Sequence, residues 1–339
     1  MTASSMLGSI FGPIARKLGF PQYLARLNAD TLSGWTNSYH PPITAFSKEA
    51  PTCSRRSCIY SAKLRRDIHF LSTPEQHAGL LALYHPRLFD LHEQRVLSPG
   101  PAYHPLSGHR DTRGLDLPAF KGTVSAADRL GQLKLHPTTV VSDPSDPDTN
   151  LRAPIPLMGD LLLFLRDDDN TPFCINWTVK KDEDGFKRGL GLKSTRTREE
   201  NRQKRLEFRH ELERVYYEDA GIRTVRVTQT KIDFNVACNL RQLYGYHQRS
   251  IGVSARTRQK IEERFRSIIG QRVTPLDVSR AIIDELGCDL HDCRTILYQG
   301  IWNRRLRVDL FSPINFDHPL KPESRDVLQV YGDWFGGAA

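Results

Sequence analysis

Two neighbouring stretches decide the fold of this chain: Pro-Leu-Met-Gly-Asp-Leu-Leu-Leu-Phe-Leu at 156–165 and Cys-Ile-Asn-Trp-Thr-Val-Lys at 174–180. Each is apolar and of strand length, and a polar turn separates them, so they predict a pair of β-strands. Because strand side chains alternate between faces, Asn176, Thr178 and Lys180 share one face and the apolar residues between them share the other. A polar stripe beside a buried stripe predicts a cleft at a sheet edge.

The two ends of this strand pair carry residues that could take part in catalysis. Asp160 opens the first strand and Lys180 ends the second. An acid and a lysine so placed are typical of nuclease metal sites, in which the acid binds Mg²⁺ and the lysine orients a nucleophilic water or steadies charge on phosphate. A simpler interpretation stays open: an acid before an apolar run is often a turn residue. A lysine at a strand end is usually solvated, and Lys181 and Asp182 follow this one.

Length and composition indicate a globular protein of more than one domain. The chain has 339 residues, 39% hydrophobic and 26% charged, which is enough for two or three domains. Its apolar runs fall short of the ~20 residues that span a bilayer, and its beginning lacks the pattern of a secretory signal. The sequence therefore predicts a cytoplasmic protein without a membrane partner.

Positive charge is concentrated in two segments. The net charge is +9; residues 1–66 hold nine basic and two acidic side chains, and residues 187–214 hold ten and five. Clustered positive charge favours a polyanion partner, although basic segments also simply solvate helices. The basic loop and helix after the second strand supply the residues expected to contact DNA: Lys193, Arg196, Arg198 and Arg202.

The pattern along the chain predicts three parts. Residues 1–66 form a basic N-terminal arm, and residues 67–245 form an α/β domain interrupted by an irregular Pro-, Gly- and Asp-rich insertion at about 98–150. Residues 246–339 form a helical C-terminal domain and tail. Three short helices followed by a strand at 305–310 predict a winged-helix-like fold for this domain, and such folds bind DNA or proteins.

The α/β domain begins with a helix predicted at 72–84, with Thr73 as N-cap and Glu75 in its first turn. The chain has a helix with Glu75, a strand with Asp160, a strand ending at Lys180 and then a basic helix, an order that resembles a restriction-endonuclease-like core. The resemblance implies a mixed sheet flanked by helices.

A more specific resemblance lies in shorter segments. Residues 73–94 contain Thr-Pro-Glu-Gln-His, Pro-Arg-Leu-Phe and Glu-Gln, which resemble the opening of TnsA, the endonuclease subunit of heteromeric cut-and-paste transposases. Glu213-Arg-Val-Tyr-Tyr, and the residues up to Asn239-Leu240, resemble the second half of that nuclease domain. The stretch 297–310 resembles its C-terminal domain.

The resemblance implies a site of the PD-(D/E)XK type. The family has a glutamate, an aspartate, and a glutamine separated by one residue from a lysine; Glu75, Asp160 and Lys180 match three of these. Thr178 stands where the family has glutamine, and its hydroxyl is a weaker ligand. The metal, Mg²⁺ with Mn²⁺ as a substitute, is expected on Glu75, Asp160 and the Val179 carbonyl, since hard cations prefer oxygen.

The sequence departs from the family in places besides Thr178. Asp160 follows Gly159 instead of a proline, and Arg95 replaces the proline usual after Gln94. Glu75 also has a second interpretation, because a carboxylate in the first turn of a helix favours capping and the helix dipole.

The function that the resemblance implies is a Mg²⁺-dependent DNA endonuclease that cuts the 5′-end strand at each transposon end. Its implied partners are transposon-end DNA, an integrase-fold sister transposase (TnsB-like) and an AAA+ ATPase regulator (TnsC-like) that contacts the C-terminal domain. Two alternatives stay open. One is a restriction or repair nuclease on the same core; the other, motivated by Thr178, is an inactive nuclease fold that serves as a DNA-binding assembly subunit.

Overall fold

The structure is a computed structural model that describes residues 14–17, 23, 35, 38–52, 54–142, 150–187 and 196–336. The chain divides into two compact units, each built from segments that are separate in sequence. Unit 1 comprises Met1–Ile59, Asp67–Glu75 and Arg87–Gln229; unit 2 comprises Tyr60–Arg66, Gln76–Pro86 and Thr230–Ala339.

The described strands are, in chain order, β1 (Ile14–Lys17), β2 (Ser57–Ser61), β3 (Arg66–Phe70), β4 (Leu88–Glu93), β5 (Val96–Leu97), β6 (Thr138–Ser142), β7 (Asn150–Pro154), β8 (Leu157–Met158), β9 (Leu161–Arg166), β10 (Pro172–Lys180) and β11 (Arg223–Thr228). The described helices are α1 (Thr73–Tyr84), α2 (Thr123–Arg129), α3 (Asp184–Lys187), α4 (Arg196–Glu218), α5 (Phe234–Tyr244), α6 (Ala255–Ser267), α7 (Pro275–Leu286), α8 (Leu290–Trp302) and α9 (Val327–Val330). Short 3₁₀ helices lie at Arg110–Thr112, Leu133–Leu135, Gln229–Lys231 and Gly332–Phe335.

A four-stranded mixed sheet lies at the centre of unit 1, in the order β11–β10–β9–β4. β9 is antiparallel to both of its neighbours, whereas β10 and β11 are parallel. A parallel pair needs a crossover connection, and α4 lies in the one between β10 and β11 and packs against β11. The predicted α/β class with a mixed sheet flanked by helices is confirmed.

The strand pair that the sequence predicts is β9 and β10, and both of its faces are buried. Every residue from Leu161 to Leu165 is buried, as expected for a continuous apolar strand. The polar stripe of β10 is buried as well: Asn176 is 0% exposed and Thr178 is 4% exposed. The predicted cleft at a sheet edge is therefore not found at these two residues: β10 is an inner strand, and both side chains are buried and hydrogen-bonded to Glu213 of α4.

Helix α4 joins the sheet to the rest of unit 1 through one apolar face. Phe208, Leu212 and Val215 recur at helical spacing and are buried against Ala126 and Ala127 of α2. Burying side chains of this size contributes roughly 1.5–3 kcal/mol each. This contact holds α4 in the position from which it reaches the polar residues of β10.

The segment predicted as an irregular insertion at 98–150 contributes to the core of unit 1. It contains α2 and β6, and Phe120 stacks on Tyr216 of α4 with ring centroids 4.3 Å apart. Leu106 lies in the same buried cluster as Phe164 of β9. Although its Pro and Gly content indicates irregular backbone, its buried aromatic and aliphatic side chains make the segment part of the domain.

Unit 2 contains the three helices that the caps predict. Ser254 accepts a hydrogen bond from the third residue of α6, and Thr274 forms a capping box with Asp277 at the start of α7. Gly287 ends α7 in the left-handed conformation, with φ +60°. These local signals need no tertiary contact, so the sequence locates all three helices.

Two features of unit 2 differ from the prediction. Residues 305–310 are not a strand; Val308 forms an isolated bridge with Pro322, and the Asn239 side chain donates to the Leu310 carbonyl. The long C-terminal segment of the unit also begins at Thr230, earlier than the predicted residue 246, because α5 packs against α8.

A substitution at Gly122 tests the described packing of the segment before α2. Its φ is +95°, and a Cβ there would lie 2.6 Å from the carbonyl carbon of Gly100 and would overlap the Pro99 oxygen. We expect Gly122→Ala to lower the free energy of unfolding by about 3 kcal/mol or more, measured by urea denaturation. Gly131→Ala is the matched control: φ is +65° but the space is open, so a loss of about 1 kcal/mol is expected. Equal losses for the two variants would contradict this packing.

Candidate active site

Asp160 and Lys180 form an ion pair at one end of the sheet. Leu161 pairs with Trp177 in the antiparallel register, so the residue before β9 lies near the last residue of β10. The Lys180 Nζ lies 3.0 Å from Asp160 Oδ2, and the Val179 amide donates to the same oxygen at 2.7 Å. The two side chains that the sequence singles out are therefore brought together. Asp160 is 24% exposed and Lys180 is 30% exposed, which leaves the pair open to solvent.

Glu75 is held at the start of α1 by three donors. The Ser72 hydroxyl donates to Oε1 at 2.7 Å, and the Leu71 amide and Gln94 Nε2 donate to Oε2 at 2.9 and 3.2 Å. Ser72 Oγ also accepts from the Glu75 amide, so Ser72 takes the capping position that the sequence assigns to Thr73. Glu75 thus makes capping contacts, as its simpler interpretation predicts, and still belongs to the charged site.

The charges of Asp160 and Lys180 act on the pKa of Glu75. Burial raises the pKa of Glu75 to about 7, and the negative charge of Asp160 adds to the effect. Hydrogen bonds from Leu71 and Ser72 and the charge of Lys180 oppose the rise. Burial by itself lowers the pKa of Lys180, but the charge and hydrogen bond of Asp160, together with the charges of Glu213 and Glu75, outweigh it and the Lys180 pKa is raised.

Thr178 does not have the environment that the sequence predicts. Its hydroxyl donates to Glu213 Oε1 of α4 at 3.2 Å, and Asn176 Nδ2 donates to the same oxygen at 2.9 Å. Thr178 therefore lies inside the protein and acts as a hydrogen-bond donor to a carboxylate. Its expected role as a weak metal ligand on an exposed face is not supported by this geometry.

Glu213 is a residue of this site that the sequence-based predictions missed. It is buried, and Arg209 one turn earlier donates to Oε2 at 3.2 Å and to the Met158 carbonyl. Burial raises the pKa of Glu213; Arg209 opposes the rise and the charge of Asp160 adds to it. A glutamate beside the apolar face of α4, amid Leu212 and Val215, was the available signal.

His210 also lies close to these charges. It is buried, and neither ring nitrogen has a hydrogen-bond partner among the described residues. Burial, followed by the charges of Lys180 and Arg209, lowers the pKa of His210 to about 4, so the imidazole is neutral near pH 7. The ring packs against Phe186 with centroids 5.1 Å apart.

The oxygen atoms at the ion pair fit a hard cation. The Lys180 ammonium bridges Asp160 Oδ2 and the Val179 carbonyl, at 3.0 and 2.9 Å, so two of the three groups expected to bind metal already hold a positive charge. Carboxylate and carbonyl oxygens are the ligands that Mg²⁺ prefers. In the described part of the chain, however, no group of three or more His, Cys, Asp and Glu side chains is arranged to hold a metal ion. A cation here would need oxygens from other residue types.

The residues predicted to contact DNA are only partly described. Lys193 lies outside the described residues, and the side chains of Arg196 and Arg198 are not described although their backbone begins α4. Arg202 lies on α4, is half-buried, and has an Nη2 nitrogen without a hydrogen-bond partner in the described part.

No protein-family model matches this chain, and comparison with curated proteins finds no match. The resemblance to TnsA therefore stays a prediction from the sequence. In the described residues, no helix is both long enough and apolar enough to cross a membrane.

The raised pKa of Glu75 predicts a pH-dependent stability. A carboxyl whose folded-state pKa is raised favours folding while protonated, and this contribution is lost as pH rises from about 4.5 towards about 7. Without divalent cations, Glu75→Gln should therefore exceed the wild type in free energy of unfolding at pH 8 by about 3 kcal/mol, and the gap should narrow by pH 5. Urea denaturation in chelator at the two pH values measures this.

Glu211→Gln provides the control. The hydrogen bond from Arg214 lowers the pKa of Glu211, so this carboxylate stabilises the fold above its unfolded pKa and the variant should be slightly less stable than wild type at pH 8. If Glu75→Gln shows the same sign as Glu211→Gln at pH 8, the described burial of Glu75 is wrong.

Proposed function

We propose that this chain is a divalent-cation-dependent DNA endonuclease with a restriction-endonuclease-like core. The observation that carries the proposal is the hydrogen-bonded ion pair of Asp160 and Lys180, together with the buried Glu75, whose pKa responds to the charges of both. Two carboxylates and a lysine, coupled electrostatically at a partly exposed end of a mixed sheet, suit hydrolysis of a phosphodiester.

The roles of these residues follow from their atoms. Asp160 and Glu75, with the Val179 carbonyl, would hold Mg²⁺, which supplies Lewis-acid stabilisation of the phosphate and activation of water. Lys180 has three N–H donors; two of them point to Asp160 and Val179. The third is left to orient a water or to donate to a phosphate oxygen as its negative charge grows.

DNA is the substrate that the charge distribution favours. The net charge of +9 is concentrated in residues 1–66 and 187–214. Helix α4 includes most of the second segment, and its Glu213 is hydrogen-bonded to Thr178, two residues before Lys180. Basic residues on a helix next to the catalytic groups would bind the phosphate backbone without reading sequence.

We further propose that the chain belongs to the TnsA type and cuts the 5′-end strand at transposon ends. The support is the order of the resembling segments and the three helices α6, α7 and α8 of unit 2, which suit a winged-helix-like domain. The absent strand at 305–310 counts against a complete wing. In this proposal unit 2 binds the AAA+ regulator, and the sister transposase cuts the other strand.

A non-catalytic function is the second candidate. Thr178 stands where the family has glutamine, and its hydroxyl is hydrogen-bonded to Glu213. The Lys180 ammonium is hydrogen-bonded to Asp160 and to the Val179 carbonyl. A protein that kept its fold and its DNA binding but no longer cleaved would have this arrangement. Cleavage assays separate the two functions.

Substitution at the ion pair should abolish cleavage. We expect Asp160→Ala and Lys180→Ala each to reduce the rate of nicking of supercoiled plasmid, with Mg²⁺ or Mn²⁺ present, by at least about a hundredfold. Asp169→Ala and Lys181→Ala are matched controls: both residues are exposed, Asp169 lies in the turn between β9 and β10, and Lys181 directly follows Lys180. Nicking by folded Asp160→Ala at the wild-type rate would reject the site. A wild type that never nicks, even with partner proteins and transposon-end DNA, would favour the non-catalytic function.

Neutralising the basic segment should weaken DNA binding in a salt-dependent way. Replacing Lys193, Arg196 and Arg198 together with glutamine should reduce the slope of log K against log salt by about 0.9 for each DNA phosphate that the variant no longer neutralises. The control replaces three exposed basic residues of α6, Arg256, Lys260 and Arg264, and should leave the slope unchanged. Equal slopes in both variants would show that the predicted segment does not bind DNA.

A further inference from the structure

Gln94 has a backbone conformation that its residue type disfavours. It follows β4 with φ +48°, in the left-handed region that costs conformational free energy for residues other than glycine. The same residue is 3% exposed, so the strained conformation is fixed inside the protein. Strain of this kind persists where surrounding contacts hold it, and it is common at functional sites.

The contacts that hold Gln94 belong to both acids of the candidate site. The backbone amide of Gln94 donates to the Asp160 carbonyl at 3.0 Å, and its Nε2 donates to Glu75 Oε2 at 3.2 Å. Gln94 is therefore hydrogen-bonded both to the backbone of Asp160 and to the side chain of Glu75. The left-handed turn interrupts the pairing of β4 with β9 at the point where Asp160 precedes β9.

The other atom of the Gln94 amide has no partner. Oε1 is buried and accepts no hydrogen bond in the described structure. A buried acceptor without a donor is unfavourable, and a native protein usually explains it through a water, an ion or a function. An amide oxygen is a hard ligand of the type that Mg²⁺, Mn²⁺ and Ca²⁺ accept. Among the described residues, no group of three or more His, Cys, Asp and Glu side chains could hold a metal ion, so a cation here needs an oxygen from another residue type.

We propose that Gln94 serves the cation site in two ways: its Nε2 positions the Glu75 carboxylate, and its Oε1 is an additional oxygen ligand for a bound divalent cation. The inference rests on the proposed function for the presence of a cation, but it assigns a residue outside the family's set of acid, acid, glutamine and lysine. It also explains why the chain tolerates strain at this position. Glycine would remove the strain and would also remove the amide.

The test measures Mn²⁺ affinity by isothermal titration calorimetry on the full chain without DNA. Gln94→Gly relieves the left-handed backbone but deletes the amide, so we expect Mn²⁺ affinity to fall about 10- to 100-fold. The thermal unfolding midpoint without cation should equal or exceed that of the wild type. A merely structural side chain would give the reverse pattern, with lower stability and unchanged affinity.

Two further variants make the result specific. Gln94→Asn keeps an amide and tolerates the left-handed region, but its side chain is one methylene shorter. Because the Gln94 Nε2 lies 3.2 Å from Glu75 Oε2, the shorter amide should not reach Glu75, and the Mn²⁺ affinity should fall as in the glycine variant. It also replaces the glycine variant if that one does not fold. Asn170→Gly is the matched control, because Asn170 has φ +64° at the opposite end of the β9–β10 hairpin and should bind Mn²⁺ as the wild type does.

Each outcome bears on one proposal. Wild-type Mn²⁺ affinity in Gln94→Gly, equal losses in Asn170→Gly, or a wild type that binds no Mn²⁺ would overturn the role of Gln94. Loss of affinity in both Gln94 variants, together with a wild type that nicks no DNA, would support the cation site and reject the nuclease.

Discussion

The antiparallel pairing of β9 with β10 fixes the position of the central charged groups of the site. Leu161 opposite Trp177 places Asp160 and Lys180 within reach of each other, and the Val179 amide binds the same carboxylate oxygen. A register shift of one residue would turn the alternate side chains to the opposite face. The hydrogen bonds of Asn176 and Thr178 to Glu213 oppose such a shift, so the buried polar contacts of β10 also hold the ion pair in place.

Placing several charged groups at the end of this sheet is energetically costly. Burial raises the pKa of both Glu75 and Glu213, which means that the environment resists their negative charge. Lys180 and Arg209 compensate in part through hydrogen-bonded ion pairs with Asp160 and Glu213. Carboxyl groups kept together against this cost are more typical of a functional site than of a structural contact, which needs only one acid for each base.

The features that depend on local pattern could be predicted from the sequence. The alternation of β10 and the acid before β9 locate Asp160 and Lys180, and caps such as Ser254 locate helices. The environment of Thr178 could not be predicted, since its partner Glu213 lies 35 residues later and covers it only when α4 packs on α2. Gln94 gives no signal at all, because nothing in a glutamine indicates a positive φ.

The balance of charge in the site connects its structure to its chemistry. Glu75, Asp160 and Glu213 bring up to three negative charges, and Lys180 and Arg209 bring two positive ones, so the fully ionised site has one negative charge in excess. With its pKa near 7, Glu75 can take up a proton and remove that excess when no cation is bound. A divalent cation would instead leave one positive charge in excess, which complements the single negative charge of a phosphodiester. In the proposed function, the carboxyl that lowers stability at high pH would therefore help to hold the cation whose charge attracts nucleic acid. The Gln94 amide, by fixing Oε2 of Glu75, would keep this carboxylate in place for the cation.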